Sequence, residues 1–143
     1  MRSRSSRRPR TLRTRLLGER GAAVVEFALV APVLILLLIG IVECSKMFQA
    51  QSTLSAAARE GVRVMALTNS AGTARTAAVN AASSLGVPAG SVTFTFSRGT
   101  SCSGATPTDT VTARVTYRQT FVSGFLGRTG VDLSGTARMR CGG

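Results

Sequence analysis

Residues 21–42 read GAAVVEFALVAPVLILLLIGIV. The stretch is 22 residues long and almost wholly apolar. As a helix rising ~1.5 Å per residue it would reach roughly 33 Å, enough to cross a bilayer core of ~30 Å once. It carries a single carboxylate, Glu26, five residues past Gly21. Fourteen Leu, Ile, Val and Phe residues lie between Val24 and Val42. At roughly −0.3 to −0.6 kcal/mol each they supply about −4 to −8 kcal/mol of insertion free energy, against about +3 kcal/mol for the acid. The span therefore tolerates Glu26 near its end. An ionisable group inside a span is also a candidate functional position.

Moving outward, the arm before this stretch is basic. Residues 1–20 hold eight arginines and one acid, and the remaining 123 residues hold ten basic and five acidic groups, which together give the net charge of +12. Arginine abutting an apolar span is retained on the cytoplasmic side, so the expectation is N-terminus in and C-terminus out. That placement assigns the charge to orientation and not to nucleic-acid binding. The arm is rich in Arg and Ser, contains Pro9 and shows no apolar period, and is expected to be an extended cytoplasmic leader. After the core the chain reads VECSKMF, without the small-residue site of a secretory signal or of a lipoprotein box.

Beyond Val42 the helix is expected to continue to about residue 68. Met47, Leu54, Ala58, Val62 and Met65 recur at helical spacing and form one apolar stripe. Asn69-Ser70-Ala71-Gly72 should break it. A second short helix follows, with Thr73 as N-cap, an Ala-rich face through Ala74, Ala78 and Ala82, and Gly86 and Pro88 as its stop. The period then changes to two. Val92-Phe96, Val111-Arg118 and Val131-Cys141 alternate apolar and polar residues, and their Gly/Pro-containing connections suit an antiparallel meander. Pro32 removes one helical hydrogen bond and is expected to bend the span there.

The fold class expected from this pattern is α+β. A long helix, first transmembrane and then exposed, precedes a short second helix and a small three-stranded antiparallel sheet. The expected organisation is a leader over 1–21, a transmembrane helix over 22–44, its exposed continuation over 45–68, and an extracytoplasmic head over 69–143. Cys102 and Cys141 can pair if the head lies outside the cytoplasm, and would be free thiols in a reducing compartment. Cys44 reads as an unpaired small apolar residue.

Catalytic chemistry finds no residues to carry it. Histidine is absent, the six acids are scattered, the cysteines have no metal-ligand spacing, and no glycine-rich phosphate loop follows a strand. The expectation is a protein without enzymatic activity, metal, cofactor or small-molecule substrate.

The remaining signal is the junction itself. Gly21-Ala22-Ala23-Val24-Val25-Glu26 resembles the cleavage site of type IV prepilins and pseudopilins: a basic leader ending in Gly, then an apolar helix with Glu at its fifth mature position. The match widens through Val25-Glu26-Phe27-Ala28-Leu29, Pro32, Gly40-Ile41 with Glu43, and Ala57-Ala58-Arg59-Glu60-Gly61-Val62-Arg63. Over residues 21–64 the chain resembles TadE-like proteins, pseudopilins of the tight-adherence (Flp-type) pilus machinery. Phe27 stands where members often have Tyr.

The resemblance implies a pilin-like minor subunit acting in pilus assembly. It also implies cutting by a prepilin peptidase between Gly21 and Ala22, and Glu26 as the carboxylate that serves assembly. The implied partners are that peptidase, other pilins, the assembly machinery and the lipid bilayer. The implied location is the bacterial inner membrane or a surface pilus. Two other readings stay open: an uncleaved single-pass anchor presenting a small binding domain, and a protein whose basic arm works on nucleic acid or acidic lipid.

Overall fold

The computed structural model describes residues 13–106, 108–121 and 130–142, with side chains from residue 21 onward. The leader residues 1–12, Pro107 and the glycines at 124 and 127 lie outside the described residues. The chain divides into two units, Met1–Ile41 and Val42–Gly143.

The first element, α1, runs Arg13–Thr68 and contains Pro32. It starts eight residues ahead of Gly21, so the end of the expected extended leader is helical. Arg13-Thr14-Arg15-Leu16-Leu17 and Glu19-Arg20 are mostly strong helix formers, and an interior Gly costs only about 1 kcal/mol. Gly18 and Gly21 are therefore carried by the residues on either side. From Val24 to Ile41 the large apolar side chains are exposed: Phe27 is 70% exposed, Leu29 72% and Val24 67%.

The second unit packs helices on one face of a sheet. Strands β1 (Val92–Phe96), β2 (Thr110–Thr120) and β3 (Gly130–Arg140) lie in the order β1-β2-β3. Both pairings are antiparallel, with Val92 opposite Val115 and Ala113 opposite Ala137. The period-two reading is thus realised in register. Val111, Ala113 and Val115 are buried on the inner face, and Thr112, Arg114 and Thr116 alternate with them on the other.

Helix α2 runs Ala71–Ala81. Its N-cap is Ser70, whose side chain accepts from the Thr73 N–H, and not Thr73. Ala71 and Gly72 accordingly belong to the helix, and the break after α1 narrows to Asn69 and Ser70. Asn69 supplies it with a φ of 49°, a left-handed conformation that Asn tolerates better than most residues. At the other end Gly86 closes a short 3-10 turn (Ser83–Leu85) at φ 64°. A second 3-10 turn, Ala89–Ser91, leads into β1; the sequence pattern did not indicate it.

The core is thin. Leu54, Ala57 and Ala58 of α1 meet Ala78 of α2, its C-cap Ala82, Val87, Val92 and Val115. Next to them Val62, Met65 and Ala66 pack with Ala74, Val111 and Ala113. Small residues let backbones approach. A Cβ built on Gly61 would stand 3.0 Å from the Ala78 Cβ, and one built on Gly135 of β3 would run into the α1 backbone at Leu54 and Ser55. Helix α1 therefore crosses β3 directly over Gly135, and the Gln51 side chain donates to the Ser134 carbonyl at 3.0 Å beside that crossing.

Candidate functional site

The residues singled out at the junction all lie on α1. Gly21, Ala22, Glu26 and Pro32 follow one another along the apolar unit, and Ala22 and Glu26 are exposed. Gly21 has nothing within 4 Å of the position a Cβ would take. Ala22 and Glu26 are four residues apart, so they share a helix face one turn from each other. Within this single chain Glu26 has no ion-pair partner among the described residues. The helix passes through Pro32 as one element.

The segment beginning at Gly21 is the one helix among the described residues long and apolar enough to cross a membrane, with a mean hydropathy of 2.8 over its best window. None of that window is buried within the protein, which separates it from the core helix of a globular domain. Fourteen large aliphatic or aromatic side chains facing solvent would be an aggregation hazard in water, and they need a partner of low polarity. Glu43, just past this stretch, is 7% exposed and is the one buried charged side chain among the described residues.

In the second unit the structure brings Cys102 and Cys141 together as a disulfide, with Cα atoms 5.3 Å apart. Cys44 is free and exposed. The bridge ties the β1–β2 connection to the end of β3, and Asn69 fixes both to the end of α1. Its Nδ2 donates to Ser103 Oγ at 2.6 Å and its Oδ1 accepts from the Cys102 N–H at 2.8 Å. The Gly142 N–H donates to the Ala66 carbonyl at 3.2 Å.

Asp109 organises the same connection. Its Oδ2 accepts from the Thr106 N–H at 2.7 Å and from Thr106 Oγ1 at 2.9 Å. Arg98 lies 4.0 Å away. These donors, the Thr106 backbone N–H first, hold the Asp109 carboxyl below its ordinary value of 3.8. The Asp109 carbonyl accepts from the Cys141 N–H at 2.9 Å, next to the bridge. Asn69 and Asp109 were not identified from sequence as joints of this corner. The available signal was an Asn between two helical patterns, which marked the break but not its side-chain partners.

Among the described residues no group of three or more His, Cys, Asp or Glu could hold a metal ion. The described chain thus has one membrane-length apolar helix and a disulfide-bonded α+β unit. Residues 21–63 match the family described as TadE-like protein, so the segment from Gly21 to Arg63 carries the signature of a family associated with the Tad pilus. No curated protein and no solved structure matches the chain.

Proposed function

We propose that this chain is a minor pilin or pseudopilin that acts in assembly of a tight-adherence pilus. In this reading a prepilin peptidase cuts between Gly21 and Ala22 at the cytoplasmic face of the inner membrane, where the arginines hold the leader. The apolar helix stays in the bilayer with the α+β unit outside, or passes into a filament with other pilins. The reading rests on one observation: the match to the TadE-like family spans the exposed apolar helix together with Gly21 and Glu26.

Cleavage would create an amine at Ala22, one helical turn from Glu26 on the same face. A carboxylate near a helix N-terminus is favoured by the helix dipole, and Glu26 of one subunit can meet the amine of its own chain or of a neighbour. Taking such a pair out of water costs about as much as its attraction returns, so its role is to set register between subunits. Glu26→Gln keeps the shape and removes the charge. It is expected to leave the protein in the membrane and abolish piliation. Unchanged piliation would remove Glu26 from assembly.

A second reading, an uncleaved anchor, draws on the helix itself. Helix α1 runs without interruption across the Gly21–Ala22 bond, and a protease must open that turn to reach it. The intact mass of the membrane-extracted protein decides between the two. Loss of residues 1–21 supports processing, and a chain still beginning at Met1 supports the anchor. The same spectrum with and without reductant reports the state of Cys102 and Cys141.

A further inference from the structure

Among the described residues, the outward-pointing strand positions of the sheet carry no aliphatic or aromatic side chain. They present Thr93 and Thr95 from β1, Thr112, Arg114, Thr116 and Arg118 from β2, and Ser134, Thr136, Arg138 and Arg140 from β3, with Asp132 their one acid. Strand β1 pairs only as far as Val92 opposite Val115, so the β2–β3 ribbon extends beyond it. In that step lies a groove of about 580 Å³. Arg114, Thr116, Arg118, Asp132 and Ser134 line it from the outward face, Tyr117 and Leu133 contribute where the ribbon edge is uncovered, and Pro88 and Ser91 close one side. Its volume is that of a small-ligand site.

The groove holds two guanidinium groups, from Arg114 and Arg118, whose Cα atoms stand about 14 Å apart on one strand at ~3.4 Å per residue. Arg114 donates to Ser134 Oγ at 3.5 Å, and Arg118 pairs with Asp132 at 3.2 Å. Guanidinium forks favour carboxylate and phosphate oxygens. A second copy of this unit is a poor occupant, because residues 42–143 carry ten basic and four acidic groups and would repel one another. Single-stranded nucleic acid would want a succession of aromatic platforms for its bases, and Tyr117 is the one aromatic residue lining the groove.

The hydroxyls separate the remaining polyanions. Thr116, Ser91 and Ser134 both donate and accept, and Asp132 only accepts. A phosphodiester backbone presents acceptors alone and would leave Asp132 facing like charge. A sugar acid presents carboxylates for the arginines and hydroxyl donors for Asp132 and the Ser/Thr oxygens. We propose that this groove is a binding site for an acidic polysaccharide whose repeating unit bears a carboxylate, with Arg138 and Arg140 continuing the track along β3. The site belongs to the second unit alone, so it stands whether or not the chain is processed at Gly21.

The test uses full-length protein in detergent micelles and titrates hexagalacturonate, neutral maltohexaose and a short DNA duplex by calorimetry. Hexagalacturonate should bind, and maltohexaose should bind at least about tenfold more weakly, the loss expected of one to two good charge-assisted contacts. Arg114→Gln and Arg114→Lys should each weaken hexagalacturonate binding, the former by about tenfold or more. Asp132→Asn should weaken it while strengthening the duplex. Arg59→Gln, an equal charge loss on the exposed side of α1, should leave the affinity within about twofold. Unchanged thermal unfolding of each variant shows that the fold is kept, and Arg114→Lys covers the case in which Arg114→Gln does not fold. Absence of hexagalacturonate binding, equal weakening by Arg59→Gln, or tighter binding of the duplex with the same arginine dependence would each overturn the proposal.

Discussion

Gly135→Ala isolates the closest approach in the molecule. The Cβ it adds would sit 2.6 Å from the Ser55 nitrogen and closer still to the carbonyl of Leu54. Real Cβ atoms essentially never come within 3.0 Å of such neighbours, and ordinary contact begins at 3.4 Å. The Ser55 nitrogen alone must therefore retreat by about 0.8 Å, the difference between those distances. All three obstructing atoms are backbone, so no side-chain rotation relieves the clash. Helix α1 has to lift off β3, and a gap of ~0.5–1 Å forfeits a quarter to a half of the dispersion well for every atom pair across it. The pairs concerned include Leu54, Ala57 and Ala58 against Val115 and Leu133.

Overpacking of a core costs typically 1–3 kcal/mol. With rigid obstructing atoms the upper end applies, and the expected loss is about 3 kcal/mol, a drop in Tm of roughly 12–24 °C for a unit of this size. The chain has one tyrosine and no tryptophan. That tyrosine, Tyr117, packs against the core cluster that Leu54 belongs to, so its fluorescence reports this unit without contribution from the apolar helix. Urea titration of the full-length protein in micelles, followed at Tyr117, measures the loss. Thr136→Ala, the exposed neighbour, should change stability by less than about 0.5 kcal/mol. Adding Leu54→Ala to Gly135→Ala should deepen the loss, because it opens a cavity without moving the backbone. Should Gly135→Ala unfold within about 0.5 kcal/mol of the wild type, or should Leu54→Ala rescue it, helix α1 does not cross the sheet where the geometry requires.

Three further predictions concern the corner around the disulfide. Reduction, or the Cys102→Ala/Cys141→Ala double variant, opens a loop of sequence separation 39 and should remove about 4 kcal/mol by the chain-entropy account, read as a shift in urea midpoint with and without reductant. Asn69→Gly keeps the left-handed backbone but loses both side-chain bonds and should cost about 1–3 kcal/mol; Asn69→Ala adds the strain of φ 49° and should be worse than the glycine variant, whereas equal losses would refute a backbone contribution. Asp109 has its carboxyl held below 3.8, so its support for the β1–β2 connection is complete above that value and is lost as pH falls through the lower folded-state value. Proteolysis between residues 97 and 109 should therefore rise in wild type below about pH 4, and Asp109→Asn should already be susceptible at pH 7 with little further change on acidification.

Much of this architecture could be read along the chain because it follows from local periodicity. Runs of aliphatic residues at 21–42 decide membrane-length helix without any tertiary partner. Period-two alternation at 92–96, 111–118 and 131–141 decides strands because one face must be buried and the other wetted. The spacing of Gly21 and Glu26 is likewise read directly along one element, while their roles in processing and assembly are proposals.

What sequence did not determine depends on neighbours distant in the chain. Ser70 replaces Thr73 as the cap because Asn69 can turn the chain at positive φ, which lets α2 start three residues earlier. Asn69 and Asp109 acquire their roles only when loop 97–109 folds back on the end of α1. Gly135 looks in sequence like a gap in an alternating strand; it is the place where a helix some eighty residues earlier lies against the sheet. The groove past Ser91 exists because β1 is shorter than the ribbon it joins, and a strand's length says nothing of how far its partner pairs. Periodicity settles which elements form, while the distances between elements are settled by the close packing of small side chains across them.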